Sequence, residues 1–208
     1  MKHNPIYYTD QHFAFADSIR KFVQKELMPH INQWEEAETF PKELYKKAAD
    51  IGLLGIGFDE NYGGIPETDA FHVLLSSIEL AKTGSGGLCA SLLSHSIGAP
   101  PINHFASDEI KQTVLTQILA GEKISALAIT EPTGGSDVAA LKTKAVRDGQ
   151  DYIVSGEKTF ITSGIRADYY TVAVRTDPDA KGPNGISMLL MDAHSDGISK
   201  SKLDKMGW

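Results

Sequence analysis

At 208 residues with 41% hydrophobic content, the chain can bury a substantial core as one large domain or two small ones. A net charge of -7, with no basic run and no basic patch interleaved with aromatics, argues against a nucleic-acid partner, and no apolar stretch reaches the roughly eighteen residues of a membrane span. The single Cys89 excludes an internal disulfide and a thiolate zinc site, in keeping with a reducing compartment; residues 1–5 do not form a signal peptide, and the arginine-poor start does not resemble a transit peptide, so a cytoplasmic protein is expected.

In chain order, residues 9–28 read as a helix, with Thr9 placed to cap it and Phe15, Ile19, Phe22, Val23 and Leu27 recurring at three- and four-residue spacing until Pro29 stops it. A second helix starts near Pro41, carries Leu44, Ala48 and Ile51 on one face and ends at Gly52. Loops through Gly55, Gly57 and the turn at 61–64 lead to a third helix over 69–82, with Thr68 as its cap and Phe71, Leu74, Leu75 and Ile78 facing inward. After the break at 83–87, the apolar run 88–97 predicts a helix buried against others and terminated by Pro100 and Pro101. Ser107 then caps a helix through Ala120, with Ile110, Val114, Ile118 and Leu119 at helical spacing and Gly121 as its stop.

From Ile124 the pattern changes to strands. A β-rich run continues to Thr130, others cover 152–155, 170–174 and 186–191, and Asp148 with Gly149 gives a type I′ hairpin signal. The fold class is therefore α+β, with a helical domain over 1–121 and an antiparallel β domain over 122–208.

Two stretches carry the chemistry. In LAITEPTGGSD (127–137) a strand is broken by Pro132, and Gly134 and Gly135 then permit positive φ, so that successive N–H groups can converge on an anion with the Ser136 hydroxyl as a further donor. The same residues also suit a glycine-rich turn with no ligand. In GEKTFITSG (156–164) an aromatic ring and a hydroxyl, Phe160 and Thr162, stand beside the turn at Ser163 and Gly164; they serve either as core and strand residues or as a cover and a polar partner for a flat ring.

Taken together, these stretches closely resemble the two flavin-binding motifs of the acyl-CoA dehydrogenase family. GLLGIGFDENYGG (52–64) is similar to another segment of that family, GEKISALAITEP (121–132) to its barrel entry, and KLDKMGW (202–208) to the stretch that continues into later barrel strands. Because 121–132 runs into 127–137, these make four family-like segments in the right order, far more specific than one short motif.

The resemblance implies a β-barrel-like second domain, here incomplete, with FAD lying against it. By that likeness Leu127, Ile129 and Thr130 bond the flavin's pyrimidine edge, Ser136 reaches the pyrophosphate or the thioester substrate, Thr162 sits at flavin N5 with Ile161 beside it, and Phe160 packs on the flavin face opposite the substrate. Two positions depart from the family pattern: Phe160 stands where tryptophan is common, and Thr133 where glycine is common. The implied reaction is α,β-dehydrogenation of an acyl-CoA, with a carboxylate removing the α proton, the flavin doing the redox chemistry and an electron-transfer flavoprotein or similar acceptor downstream. The family's base is a glutamate in a C-terminal helical domain, so it is expected beyond Trp208. Residues 1–208 alone are accordingly expected to be inactive, and the full-length protein to be a homo-oligomer. Glu131, just before Pro132, is the alternative base and reads better as a structural residue.

The seven histidines show no i, i+4 pair and no neighbouring carboxylate at metal-ligand spacing, so no metal site is expected. No dinucleotide fingerprint, phosphate-binding P-loop or nucleophile elbow is present. Glu35, Glu36 and Glu38 read as a solvated acidic face. The reading set against the flavoenzyme is a non-catalytic flavin or acyl-CoA binding or interaction module left by truncation, or another flavin oxidase of the same superfamily.

Overall fold

Thr9 opens α1 (Asp10–Phe22) through a capping box, in which the His12 N–H donates to the Thr9 hydroxyl and the Thr9 N–H donates to His12 Nδ1 at 2.8 Å. The computed structural model describes residues 6–180 and 182–205; residues 1–5 and the last three residues of the KLDKMGW stretch fall outside it. Pro29 does not stop the helical run as expected. A π-helical turn (Val23–Leu27) and a 3-10 turn (Met28–His30) take it in, because proline near the first position of a turn gives up an N–H that has no partner there, and the chain resumes as α2 (Ile31–Ala37).

α3 (Glu43–Asp50) ends at Ile51 and Gly52, the latter at φ 80. α4 (Ala70–Ala81) is capped by Asp69 and not by Thr68, whose hydroxyl instead accepts from Gly57 N–H at 3.0 Å and donates to Ile65 O at 3.1 Å. Its buried face is His72, Leu75, Ser76, Glu79 and Leu80; Leu74, expected inward, is 44% exposed. The run 88–97 is broken in two, α5 (Gly86–Leu92) capped by Ser85 and α6 (His95–Gly98). Pro100 and Pro101 then start α7 (Pro100–Phe105) where they were expected to end a helix, since proline fits the first helical turn. Ser107 caps α8 (Asp108–Ile110), which widens into a π-helical turn (Lys111–Leu115) and continues as α9 (Thr116–Leu119).

The described residues divide into two units, one of 6–93 with 107–122 and 204–205, and one of 94–106 with 123–203. The core of the first is made of Ile19, Leu27, Leu54, Leu80, Leu88, Leu115 and Ile118. Gly64 and Gly121 mark where backbones meet within it: a Cβ at Gly64 would lie 2.0 Å from Phe58 O, and one at Gly121, φ 71, would lie 2.4 Å from the Tyr45 carbonyl.

The second unit is built on a sheet of β1 (Ser125–Ala128), β2 (Lys144–Asp148), β3 (Asp151–Ser155), β4 (Tyr169–Arg175) and β5 (Ile186–Asp192). The α+β class stands, but the sheet is mixed where an antiparallel one was expected. β2–β3 and β4–β5 are antiparallel, whereas β1 runs parallel to β4 from Ser125↔Tyr169 to Ala128↔Val172. Only strands joined by a tight hairpin are obliged to be antiparallel, and the whole β2–β3 hairpin intervenes between β1 and β4. That hairpin turns on Gly149 and Gln150, between paired Asp148 and Asp151; Gly149 at φ 61 and no positive φ at Gln150 make it a glycine-first type II′ turn in place of I′. Among the described residues the sheet is not closed into a barrel.

One face of the sheet buries Ala126, Ala128, Ala145, Tyr170, Val172 and Val174, with Ile161 and Leu189 packed against them. On the other face α6 lies close: the Thr171 hydroxyl donates to Gly98 O at 2.6 Å, and a Cβ on Gly98 would be 3.0 Å from Ser125 Oγ. No described helix is long and apolar enough to cross a membrane.

Candidate functional site

β5 occupies one edge of β4, and the other edge is shared end to end, first by β1 and then by β2 at Lys144↔Arg175. The gap between β1 and β2 is where the first motif lies. Glu131 and Gly134 close a turn around Pro132 and Thr133 with reciprocal backbone bonds of 3.0 and 3.1 Å. The Glu131 side chain then bridges the gap: Lys142 N–H donates to Oε2 at 2.7 Å and Thr143 N–H to Oε1 at 2.8 Å, supplying a partner for two amides that precede β2.

Lys158, from the second motif, completes this arrangement. Its ammonium donates to Glu131 Oε1 at 2.9 Å and to Ile129 O at 2.8 Å, and the next residue, Thr159, donates its N–H to Thr130 O at 2.9 Å. Burial alone would raise the Glu131 pKa, but the hydrogen bonds from Thr143, Lys142 and Lys158 outweigh it and hold the carboxyl at about 2. Arg175 secures the far side of the loop, donating from Nη2 to Ala139 O at 2.7 Å and from Nε to Leu141 O at 3.4 Å.

The residues singled out from sequence are therefore brought side by side in part. Leu127 lies on β1, and Ile129 and Thr130 continue beyond its end; all three are half-buried. Gly135 is next to Thr130, since a Cβ there would be 3.4 Å from Thr130 Cγ2, and Ser136 follows it, exposed. Ile161 and Thr162 are half-buried, whereas Phe160 is 75% exposed with φ 57, followed by Ser163 at φ 60. Two left-handed non-glycine residues so close together mark a strained segment of the kind that collects at functional sites. A cavity of about 150 Å³ lies against Ile129, Glu131, Gly134, Gly135 and Lys142, smaller than the pockets that enclose a whole small-molecule ligand.

Lys158 was missed by sequence reasoning. Its signal is indirect: a buried carboxylate at a strand end needs a cation, and Lys158 is the cation at the matching end of the second motif.

The histidines need a correction. His12 meets Asp69 and His72, which are distant from it in sequence but only three residues from each other, and the ligand-type atoms of all three lie within 4.8 Å of one another. His12 Nε2 lies 3.0 Å and His72 Nδ1 2.9 Å from Asp69 Oδ1. As arranged they cap α1 and α4. His12 Nδ1 accepts the Thr9 N–H, so Nε2 carries the proton it donates to Asp69 and has no lone pair for an ion. Burial would raise the Asp69 pKa, but bonds from His72 and His12 win and hold it well below the usual carboxylate range.

The sequence matches two family descriptions in chain order, acyl-CoA dehydrogenase N-terminal domain over residues 9–122 and acyl-CoA dehydrogenase middle domain over residues 126–208. The chain belongs to the acyl-CoA dehydrogenase family. It is 38% identical over 202 residues to the mitochondrial long-chain specific acyl-CoA dehydrogenase of Sus scrofa, covering 96% of this chain and 46% of that protein. An acyl-CoA dehydrogenase structure from Geobacillus kaustophilus superposes with a TM-score of 0.88 at 41% identity, over 96% of this chain and 52% of the other. A glutaryl-CoA dehydrogenase from Mycobacterium smegmatis, solved in complex with FADH2, gives 0.86 at 30% identity, over 97% and 50%. The chain spans about half the length of the relatives it matches.

Proposed function

We propose that the full-length protein catalyses FAD-dependent α,β-dehydrogenation of an acyl-CoA thioester, passes electrons to an acceptor such as an electron-transfer flavoprotein, and works as a homo-oligomer. The observation that carries this reading is the lateral union of the two motif stretches, with Thr159 N–H on Thr130 O and Lys158 on Ile129 O. The names of the relatives, and the FADH2 complex of one of them, support it. A domain boundary near 121, between the two family matches, belongs to the same proposal.

The residues present fit FAD. Among the described strands β1 pairs with β4 alone, so the outer edge of 127–130, apart from the Ile129 and Thr130 carbonyls that Lys158 and Thr159 take, can offer main-chain groups to the polar rim of a heterocycle. At Gly134 a Cβ would meet nothing within 4 Å, so the backbone is open to a bulky anion. Phe160 presents an exposed ring for stacking. In this reading Leu127, Ile129 and Thr130 hold the pyrimidine edge, Ser136 the pyrophosphate or the thioester, and Phe160, Ile161 and Thr162 the ring system, with the Thr162 hydroxyl at N5. When bound, FAD supplies the hydride acceptor.

Glu131 does not serve as the base. Both of its oxygens already accept N–H bonds, and a carboxyl held at about 2 is a weak proton acceptor at neutral pH. We place the proton-abstracting carboxylate outside residues 1–208, and residues 1–208 alone then leave acyl-CoA unreacted. The cofactor is tested by the absorbance of purified full-length protein after incubation with FAD or with NAD and NADP. Retained flavin bands are expected; tight binding of a nicotinamide cofactor with no retained flavin would reject the proposal.

A further inference from the structure

We infer that Glu131 and Lys158 act as a paired positioning device for the flavin site, fixing the spacing between the 127–130 edge and the 160–162 segment. This rests on the FAD reading above and adds to it two residues that touch neither the substrate nor the reacting atoms.

Both side chains are removed from water, at 5% and 11% exposure, and they meet at 2.9 Å. A buried ion pair returns little net stability, because desolvating two charges cancels most of their attraction, so an apolar pair of the same size would serve the core as well. What the ions provide is direction. Each Glu131 oxygen is aimed at a main-chain amide ahead of β2, and the Lys158 ammonium is shared between that carboxylate and Ile129 O. No strand ladder joins 129–131 to 158–160; the described links between them are the Thr159 bond to Thr130 O and the two bonds from Lys158. Immediately after them the backbone turns left-handed at Phe160, so displacement at Lys158 is carried directly to Phe160 and Thr162.

The test uses the full-length protein and its Lys158→Met, Glu131→Gln and doubly substituted forms, with FAD affinity, the shape of the bound-flavin absorbance band and thermal unfolding measured together. Each single substitution is expected to weaken FAD binding by about tenfold or more, the scale of one charge-assisted hydrogen bond, and to alter the flavin band while a cooperative melt is retained. The double form should be no worse than the weaker single form, because the pair acts as one unit. FAD affinity and band shape within about twofold of the parent in both single forms would overturn the inference. Should Lys158→Met fail to fold, the isosteric Glu131→Gln decides alone. If the parent protein itself binds no FAD, the functional proposal fails, and the positioning role is judged on hydrogen exchange at the Thr159 amide: about tenfold faster exchange in Glu131→Gln supports it and unchanged exchange rejects it.

Discussion

Phe160 and Ser163, at φ 57 and 60, bracket Ile161 and Thr162 and set the direction of both side chains. Ile161 is anchored in the sheet core, and Gly164 N–H closes back on Ile161 O at 2.8 Å, so Thr162 has little freedom to reorient. If its hydroxyl bonds flavin N5, Thr162→Val in the full-length protein removes about 1–3 kcal/mol of stabilisation and slows anaerobic flavin reduction by acyl-CoA roughly tenfold to a hundredfold at normal FAD occupancy. An unchanged rate would make Thr162 an ordinary structural residue. At this scale the sequence shows which residue types are available and hides their partners. Glu131 is recognisable before Pro132, but nothing local indicates that Lys158, 27 positions later, is its counter-ion. The same holds for His12 and Asp69, 57 positions apart, whose contact exists only because α1 packs on α4.

At the scale of elements, Glu131 stands in for the main-chain partners that Lys142 and Thr143 lack where β1 gives way to β2. Its low pKa makes that bridge sensitive to acid. A carboxyl at about 2 in the folded chain against an ordinary 4.5 contributes about 3 kcal/mol of stability, fully present above pH 4.5 and lost as the pH falls through about 2. Denaturant unfolding of the FAD-free full-length protein and its Glu131→Gln form should therefore show a stability gap that is constant from pH 7 to about 5 and narrows steadily below that. A gap of constant size across the acid range would contradict the bridging role. Helix and strand existence was legible from periodicity and caps: Thr9, Ser107, Gly52 and Gly121 all stand at helix boundaries. Proline was the weak point, since Pro29 and Pro100 occupy first turns, where a missing N–H costs nothing, and period alone cannot distinguish that from a stop. Strand direction was also hidden, because alternation of side chains is the same in parallel and antiparallel pairs.

For the whole molecule, family membership was legible from four short segments, while the arrangement that gives them meaning is tertiary. The two motif stretches are united by bonds that no spacing rule encodes. The central claim, flavin-dependent oxidation of an acyl-CoA, is tested most directly by mixing the FAD-loaded full-length protein anaerobically with short-, medium- and long-chain saturated acyl-CoAs and following the long-wavelength flavin band. The account predicts that at least one of them bleaches the bound flavin with one equivalent of enoyl-CoA formed per flavin; bound flavin that stays oxidised with every one of them would contradict it.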